Sequence, residues 1–353
     1  FSHIDMVPTL LALAGHEVPK NMQGADLSRV ALGETTDGPD AVLLQTSTDD
    51  EGKYRFDGVD ADKTVVVRVK AQLLKTRAAD ATTGAKWNLA VRDNTSTTSP
   101  KALYILDSAA LVTSAGNQTM DLNAPHGFND DGSVIADEAR KSAPFSILEV
   151  AYSAMTKIEA TDANVAFPDV NFYWSPQNVG TDGEKDRGQI GTSHYTGSGN
   201  LPGVFILGKA DVDTDEFDQG VIGHEFGHWL QSVLSADDNP GGTHAGGDFK
   251  DASLAYGEGY GTAVGGLLIA SPFYIDPSGP KQSAGGVTNL DQPTPAGKRK
   301  GFYSEESVAI VMYQIGKRHG FTMFWKALSA MRQDHFSSTV FAFLNSFVTA
   351  NPT

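Results

Sequence analysis

The sequence has no cysteine in 353 residues. Disulfides, thiol nucleophiles and thiolate-ligated zinc are excluded, and cysteine usage says nothing of redox compartment. It has no run of about 18 apolar residues, so no segment reads as a membrane-spanning helix. Positive charge is scarce: 27 Lys and Arg face 43 Asp and Glu, for a net charge of −16. Nothing supplies a basic patch for nucleic acid or an anionic membrane. The one basic run, Lys298-Arg299-Lys300, reads as a solvated loop. The chain starts at Phe1 without a signal peptide, and both of its ends read as cuts. An acidic, cysteine-free chain rich in Gly, Thr, Asn and Asp suits an exported or cell-surface bacterial protein.

Three textures follow one another: residues 1–45, 46–125 and 126–353. In the first, Ser2-His3-Ile4-Asp5 opens an apolar helical stretch that Gly15 stops, and Val18-Pro19 leads to Gln23-Gly24-Ala25-Asp26-Leu27. These residues resemble the C-terminal tail of sulfatases of the alkaline-phosphatase-like superfamily. Such an enzyme needs a [CS]-x-P-x-R nucleophile motif. The nearest string, Ser142-Ala143-Pro144-Phe145-Ser146, lacks the Arg. The segment is therefore expected to be a helical appendage without sulfatase chemistry.

Residues 46–125 read as β. Strand-type runs occur at 53–56, 64–70, 87–91, 102–106 and 118–122, with turns at Asp49-Asp50-Glu51-Gly52 and Asp57-Gly58. The stretch Thr48 to Val59 resembles carboxypeptidase-regulatory-like and other small β-sandwich modules, which implies a positioning or binding role. From 126 onward helices dominate. A helix is expected over 137–156, with Pro144 as a break or a new start. Strands are expected at 170–174 and 203–208, and helices at 218–235, 253–269, 305–318 and from 321 to 332 or beyond. A Gly/Pro-rich loop is expected over 271–301. The fold class is thus α+β: a small β-sandwich-like module followed by a mainly helical domain.

The chemistry concentrates in His224-Glu225-Phe226-Gly227-His228, an H-E-x-x-H string inside an expected helix. Positions i and i+4 share a helix face, so two imidazoles can hold one metal ion with the Glu beside it. Glu258 follows His228 by 30 residues, on the next expected helix, within Gly257-Glu258-Gly259-Tyr260-Gly261. Catalytic zinc takes three protein ligands and keeps a fourth position open. His224, His228 and Glu258 would supply three for one Zn2+, with Glu225 as general base on a water the metal activates. The glycines at 257, 259 and 261 are expected to let the Glu258 helix pack closely on the motif helix. The alternating residues Asp211, Asp213 and Asp215 offer a possible Ca2+ site or an acidic helix cap; no EF-hand pattern is present.

H-E-F-G-H, then Gly241-Gly242-Thr243-His244, then Ala255-Tyr256-Gly257-Glu258-Gly259-Tyr260-Gly261 resembles the gluzincin clan of zinc metallopeptidases, and more narrowly a group of exported bacterial proteins. The resemblance implies a zincin-type domain and a peptide or protein substrate. It also implies that 203–208 is an edge strand to which that substrate pairs. The absence of a G-x-M-E-N string favours an endopeptidase over an aminopeptidase. The clan's thermolysin-like members carry an orienting Asp where this chain has Thr262, so the partner of the first His is sought elsewhere, at Asp248 or Asp251. Tyr303, His244, His194 and His319 are the candidates for stabilising the oxyanion. The alternative is a non-catalytic surface binding protein with a structural zinc, closed by a fourth ligand such as His244.

Overall fold

The computed structural model describes residues 46, 48, 52–77, 81–242, 249–332 and 337–352. The sulfatase-like stretch 1–45 lies outside them, as do His244 and Asp248. Contacts divide the chain into two units, the first comprising residues up to Val66 with Ala110–Met120, the second Val67–Ala109 with Asp121 onward. Strands β1 (Thr64–Val65) and β7 (Leu111–Val112) pair antiparallel in the small unit. There the Tyr54 hydroxyl donates to the Met120 carbonyl at 2.7 Å.

In the large unit, β2 (Arg68–Lys70) pairs with β6 (Ile105–Asp107) as a short ribbon. A six-stranded sheet runs in the order β3-β4-β8-β10-β9, with β5 also on β4. Its members are β3 (Gln72–Lys75), β4 (Trp87–Asp93), β5 (Ala102–Leu103), β8 (Val170–Trp174), β9 (His194–Thr196) and β10 (Gly203–Ile206). The strands β4, β8 and β10 are parallel; β3, β5 and β9 are antiparallel to their neighbours. Three strands from the stretch 46–125 thus belong to this sheet, and the expected boundary at 125/126 does not coincide with the division by contacts. Local patterning marks a strand but not its partner, which is why β3 to β5 read as part of a separate module. No strand forms at 53–56 or 118–122.

Six described helices complete the α+β architecture: α1 (Ala143–Thr161), α2 (Gln219–Leu234), α3 (Ala252–Leu268), α4 (Glu305–His319), α5 (Phe321–Met331) and α6 (Val340–Ala350). Pro144 sits in the first turn of α1, where its missing N–H costs nothing, so it starts the helix rather than breaking it. Alternation along β8 and β10 separates two cores. Phe172, Trp174, Val204 and Ile206 join the main core with the helices; Tyr173, Phe205, Leu207 and Ile190 form a smaller cluster. Phe226 anchors α2 to the sheet by stacking on Phe172, ring centroids 5.9 Å apart. No helix among the described residues is long and apolar enough to cross a membrane.

Two expectations are corrected. The stretch 271–301 is not all loop: β11 (Phe273–Ser278) and β12 (Ala284–Asn289) form an antiparallel hairpin. Its Pro277 and the Gly285-Gly286 pair disguise it, because both residue types are rare in strands. Strand β10 is not the edge; β9 pairs outside it and is the edge strand.

Helices α2 and α3 meet through glycine. An added Cβ on Gly227 would stand 3.0 Å from Gly261 Cα, and one on Gly223 3.1 Å from Gly265 Cα. From the other side, a Cβ on Gly265 would come 2.7 Å from the Gly223 carbonyl carbon. Each helix presents glycines at i and i+4, which share a face. Of the three glycines expected to make this contact, only Gly261 does. Gly257 faces Asn239, and Gly259 faces Val308 and Ala309 of α4. Steps of two residues turn a helix by about 200°, so neighbours in that triplet cannot share one face.

Substitution Gly265→Ala tests the crossing. Helix propensity alone predicts a gain of up to about 1 kcal/mol. The clash is with backbone, which cannot rotate away, so overpacking of about 1–3 kcal/mol should prevail. A lowered urea midpoint is expected; a raised one would mean that the helices can separate freely.

Candidate metal centre

The H-E-x-x-H residues lie mid-way along α2, with both imidazoles directed at Glu258 of α3. His224 Nε2 and His228 Nε2 are 3.0 Å apart. Glu258 Oε2 lies 3.3 Å from the first and 3.4 Å from the second. Three donors at the corners of so small a triangle are suited to one ion. A tetrahedral zinc with bonds of about 2.0–2.1 Å would hold its ligand atoms about 3.3–3.4 Å apart. The donor set fits that ion in both chemistry and spacing.

Two of the three donor residues, His224 and Glu258, have a second partner that fixes them. His224 Nδ1 lies 2.9 Å from Thr262 Oγ1. A proton on Nδ1 donates to that hydroxyl and leaves the Nε2 lone pair for a metal. The outer partner sought at Asp248 or Asp251 is thus Thr262 itself. Asp251 instead caps α3, accepting from the Ser253 amide at 2.9 Å. Glu258 Oε1 accepts from Asn239 Nδ2 at 3.2 Å, and Asn239 fits there because residue 257 is glycine. Nothing in the sequence marks Asn239 for this role.

Glu225 is 8% exposed and stands beside the triangle, its Oε1 3.9 Å from His224 Nε2. Its Oε2 accepts from the Tyr195 backbone N–H at 2.9 Å. That amide faces Glu225 rather than β10, so the free edge of β9 borders the site. Burial raises the Glu225 carboxyl above the usual range and Glu258 adds to the effect, against the pull of both imidazoles. Burial opposes charge on Glu258 too, but the two imidazoles hold its carboxyl well below the usual range. For His228 burial works against the proton, yet Glu258 lifts the imidazole up to about 9.

These groups open onto a cavity of about 870 Å³. It is bordered by β9, by the 237–242 segment after α2 and by Tyr274 of β11. Tyr274 stands beside His224, with ring centroids 6.0 Å apart. Of the expected oxyanion candidates, His244 is outside the described residues. Tyr303 packs on Phe249 and Phe302, and His319 on Phe347, and neither borders the cavity. His194 borders it, but its ring stacks on Phe205 and engages the Thr192 carbonyl and Lys185 Nζ. Tyr274 went unnoticed in the sequence because its strand reads as loop.

The expected Ca2+ triad is also revised. Asp213 and Asp215 come together with Asp218 and Asp276, whereas Asp211 is exposed and outside the group. No protein-family profile matches the sequence, and a search of curated proteins finds no similar one.

A divalent metal must displace the proton that Glu258 stabilises on His228. Affinity for Zn2+, measured with a competing chelator, should rise about tenfold per pH unit from neutrality and level off above about 9. A flat profile over that range would show that His228 is not a ligand. Thr262→Val should weaken Zn2+ binding by about 10–100-fold with the fold retained, by removing the partner of His224.

Proposed function

We propose that this chain is a zinc-dependent hydrolase of peptide bonds, an endopeptidase of the gluzincin type that its motifs resemble. The observation that carries the reading is the triangle of His224, His228 and Glu258 donors at 3.0–3.4 Å, with the Glu225 carboxylate alongside. An ion held by those three residues would polarise a carbonyl and acidify a water. Everything else in the reaction falls to the chain's own groups.

Glu225 serves as general base. The Tyr195 amide orients one oxygen, and burial raises the carboxyl's basicity, so it takes a proton from the attacking water and returns it to the leaving amine. The substrate is an extended peptide. Among the described residues β9 is the edge of its sheet beside the base, and a strand edge hydrogen-bonds a peptide main chain without regard to its side chains, through backbone groups other than the Tyr195 amide that Glu225 holds. Tyr274 is the group we assign to the negative charge that develops on the carbonyl oxygen, since its ring borders the cavity next to His224. An exported or cell-surface setting agrees with the acidic, cysteine-free composition.

The decisive comparison is wild type against Glu225→Gln, each assayed for zinc content and for cleavage of casein and a mixed peptide library. The variant should keep its zinc and lose at least about 100-fold in kcat. Zinc-loaded wild type that cleaves no peptide would end this reading. Tyr274→Phe should lower kcat by about 100- to 1,000-fold while KM changes little. Unchanged kcat would remove the tyrosine from the mechanism and leave the base in place.

A further inference from the structure

A second cluster of ionisable groups lies at the start of α2, apart from the His–Glu triangle. Asp213, Asp215 and Asp218 precede the helix, and Asp276 reaches them from β11. One carboxylate oxygen from each lies within 4.8 Å of all the others. Asp215 is 3% exposed. Its Oδ2 accepts from Ser193 Oγ, a hydroxyl that itself accepts from the Leu207 amide at 2.9 Å. Its Oδ1 is buried and meets no donor, and the same holds for Asp213 Oδ1 and Asp218 Oδ2. Gln282 Oε1 is likewise buried without a donor, while its Nε2 donates to Thr214 Oγ1, between two of the aspartates.

Neighbouring Glu216 supplies a contrast. It is fully buried as well, but Arg140, itself 1% exposed, answers its charge. Among the described residues no guanidinium or ammonium pairs with the four aspartates. Burial drives all four carboxyls upward, and repulsion adds to it at Asp215, Asp218 and Asp276, with Asp218 pushed up to about 8; at Asp276 the His224 charge and a hydrogen bond from Tyr274 oppose it. Burying carboxylates together costs several kcal/mol each unless a counter-charge is present.

We propose that Asp213, Asp215, Asp218 and Asp276 bind a Ca2+ ion, at a site separate from the His224–His228–Glu258 centre. All four donors are oxygens. Ligands on opposite sides of Ca2+, at about 2.3–2.6 Å each, are about 4.6–5.2 Å apart, a span that accommodates the observed group. Mg2+ retains most of its water and is held by about one or two carboxylates, so four point to Ca2+. The orphaned oxygen of Asp215, buried and aimed at no protein donor, is what an ion would satisfy.

The ion would join two elements distant in sequence. Asp218 flanks the first residue of α2, and Asp276 lies on β11. Gly220 already lets β11 approach α2, since a Cβ there would stand 3.1 Å from the Ile275 amide. Asp276 and Tyr274 are two residues apart on one strand and therefore point to the same side. Ca2+ would thus fix the wall that carries Tyr274 beside His224.

The test is calorimetric titration of the full-length, zinc-loaded chain with CaCl2, alongside thermal unfolding with and without Ca2+ and with MgCl2 as control. One Ca2+ per chain should bind, and saturation should raise the unfolding midpoint by about 5 °C, with little response to Mg2+. Asp215→Asn and Asp276→Asn should each weaken binding at least about tenfold. In Ca2+-free buffer both should unfold at or above the wild-type temperature, because each removes a repelling charge; this separates a lost ligand from a misfolded variant. No binding to folded wild type at about 10 mM Ca2+, undiminished binding by both variants, or variants less stable than wild type without Ca2+ would overturn the proposal. None of these readouts depends on peptide hydrolysis, so the result stands apart from the proposed activity.

Discussion

The close approach of α2 and α3 is the constraint from which the rest of the centre follows. Gly223 and Gly227 meet Gly265 and Gly261 with backbone against backbone. Side chains of ordinary size at these positions would hold the two helices farther apart. His224 and His228 project from α2 and Glu258 from α3, so helix separation sets the two His–Glu distances. Those lie at 3.3 and 3.4 Å because four glycines allow it, while the i,i+4 spacing within α2 sets the 3.0 Å between the imidazoles. Gly261 has a second part, since any Cβ there would stand 3.1 Å from the His224 ring. The histidine thus lies over the α3 backbone, with its Nδ1 2.9 Å from the hydroxyl of the adjacent Thr262 that fixes its tautomer.

Around that crossing the molecule concentrates charge where it is costly to keep. Imidazoles answer carboxylate in the His–Glu triangle, Arg140 answers Glu216, and no lysine or arginine among the described residues pairs with the four aspartates beside the start of α2. The three groups are threaded on one segment, residues 213–228, which is otherwise packed on the sheet through Phe226. The hairpin β11–β12 contributes to two of the three groups through a single strand.

The convergence of His224, His228 and Glu258 was legible in the sequence because helical spacing is itself a geometric statement. H-E-x-x-H fixes two imidazoles on one face, and the Gly-rich run around Glu258 announces a helix that can come close. The helices themselves were legible for the same reason, since apolar periodicity and caps mark α2, α3 and α4 to within a residue or so of their ends. The order of strands was not, because β10 carries no local sign of which neighbour lies beyond it. Strand β9 is three residues, His-Tyr-Thr, too short for alternation to register. The outer partner of His224 was missed by looking for a carboxylate where a threonine hydroxyl serves. Asn239, Tyr274 and Asp276 were invisible for a common reason. Each sits in a stretch whose Pro and Gly content reads as loop, and each acquires its role only through contacts made across long sequence separations.

The anchor of Glu225 has a consequence for how this cleft could vary. The donor is the main-chain N–H of Tyr195, not a side chain. Every amino acid except proline carries that N–H. Position 195 can therefore drift, or be diversified in the laboratory to alter what the cleft admits, without unseating the carboxylate beside it. The orientation of the Glu225 carboxylate is thus written in the backbone of residue 195, while its side chain serves a different contact, its hydroxyl 2.9 Å from Ser232 Oγ of α2.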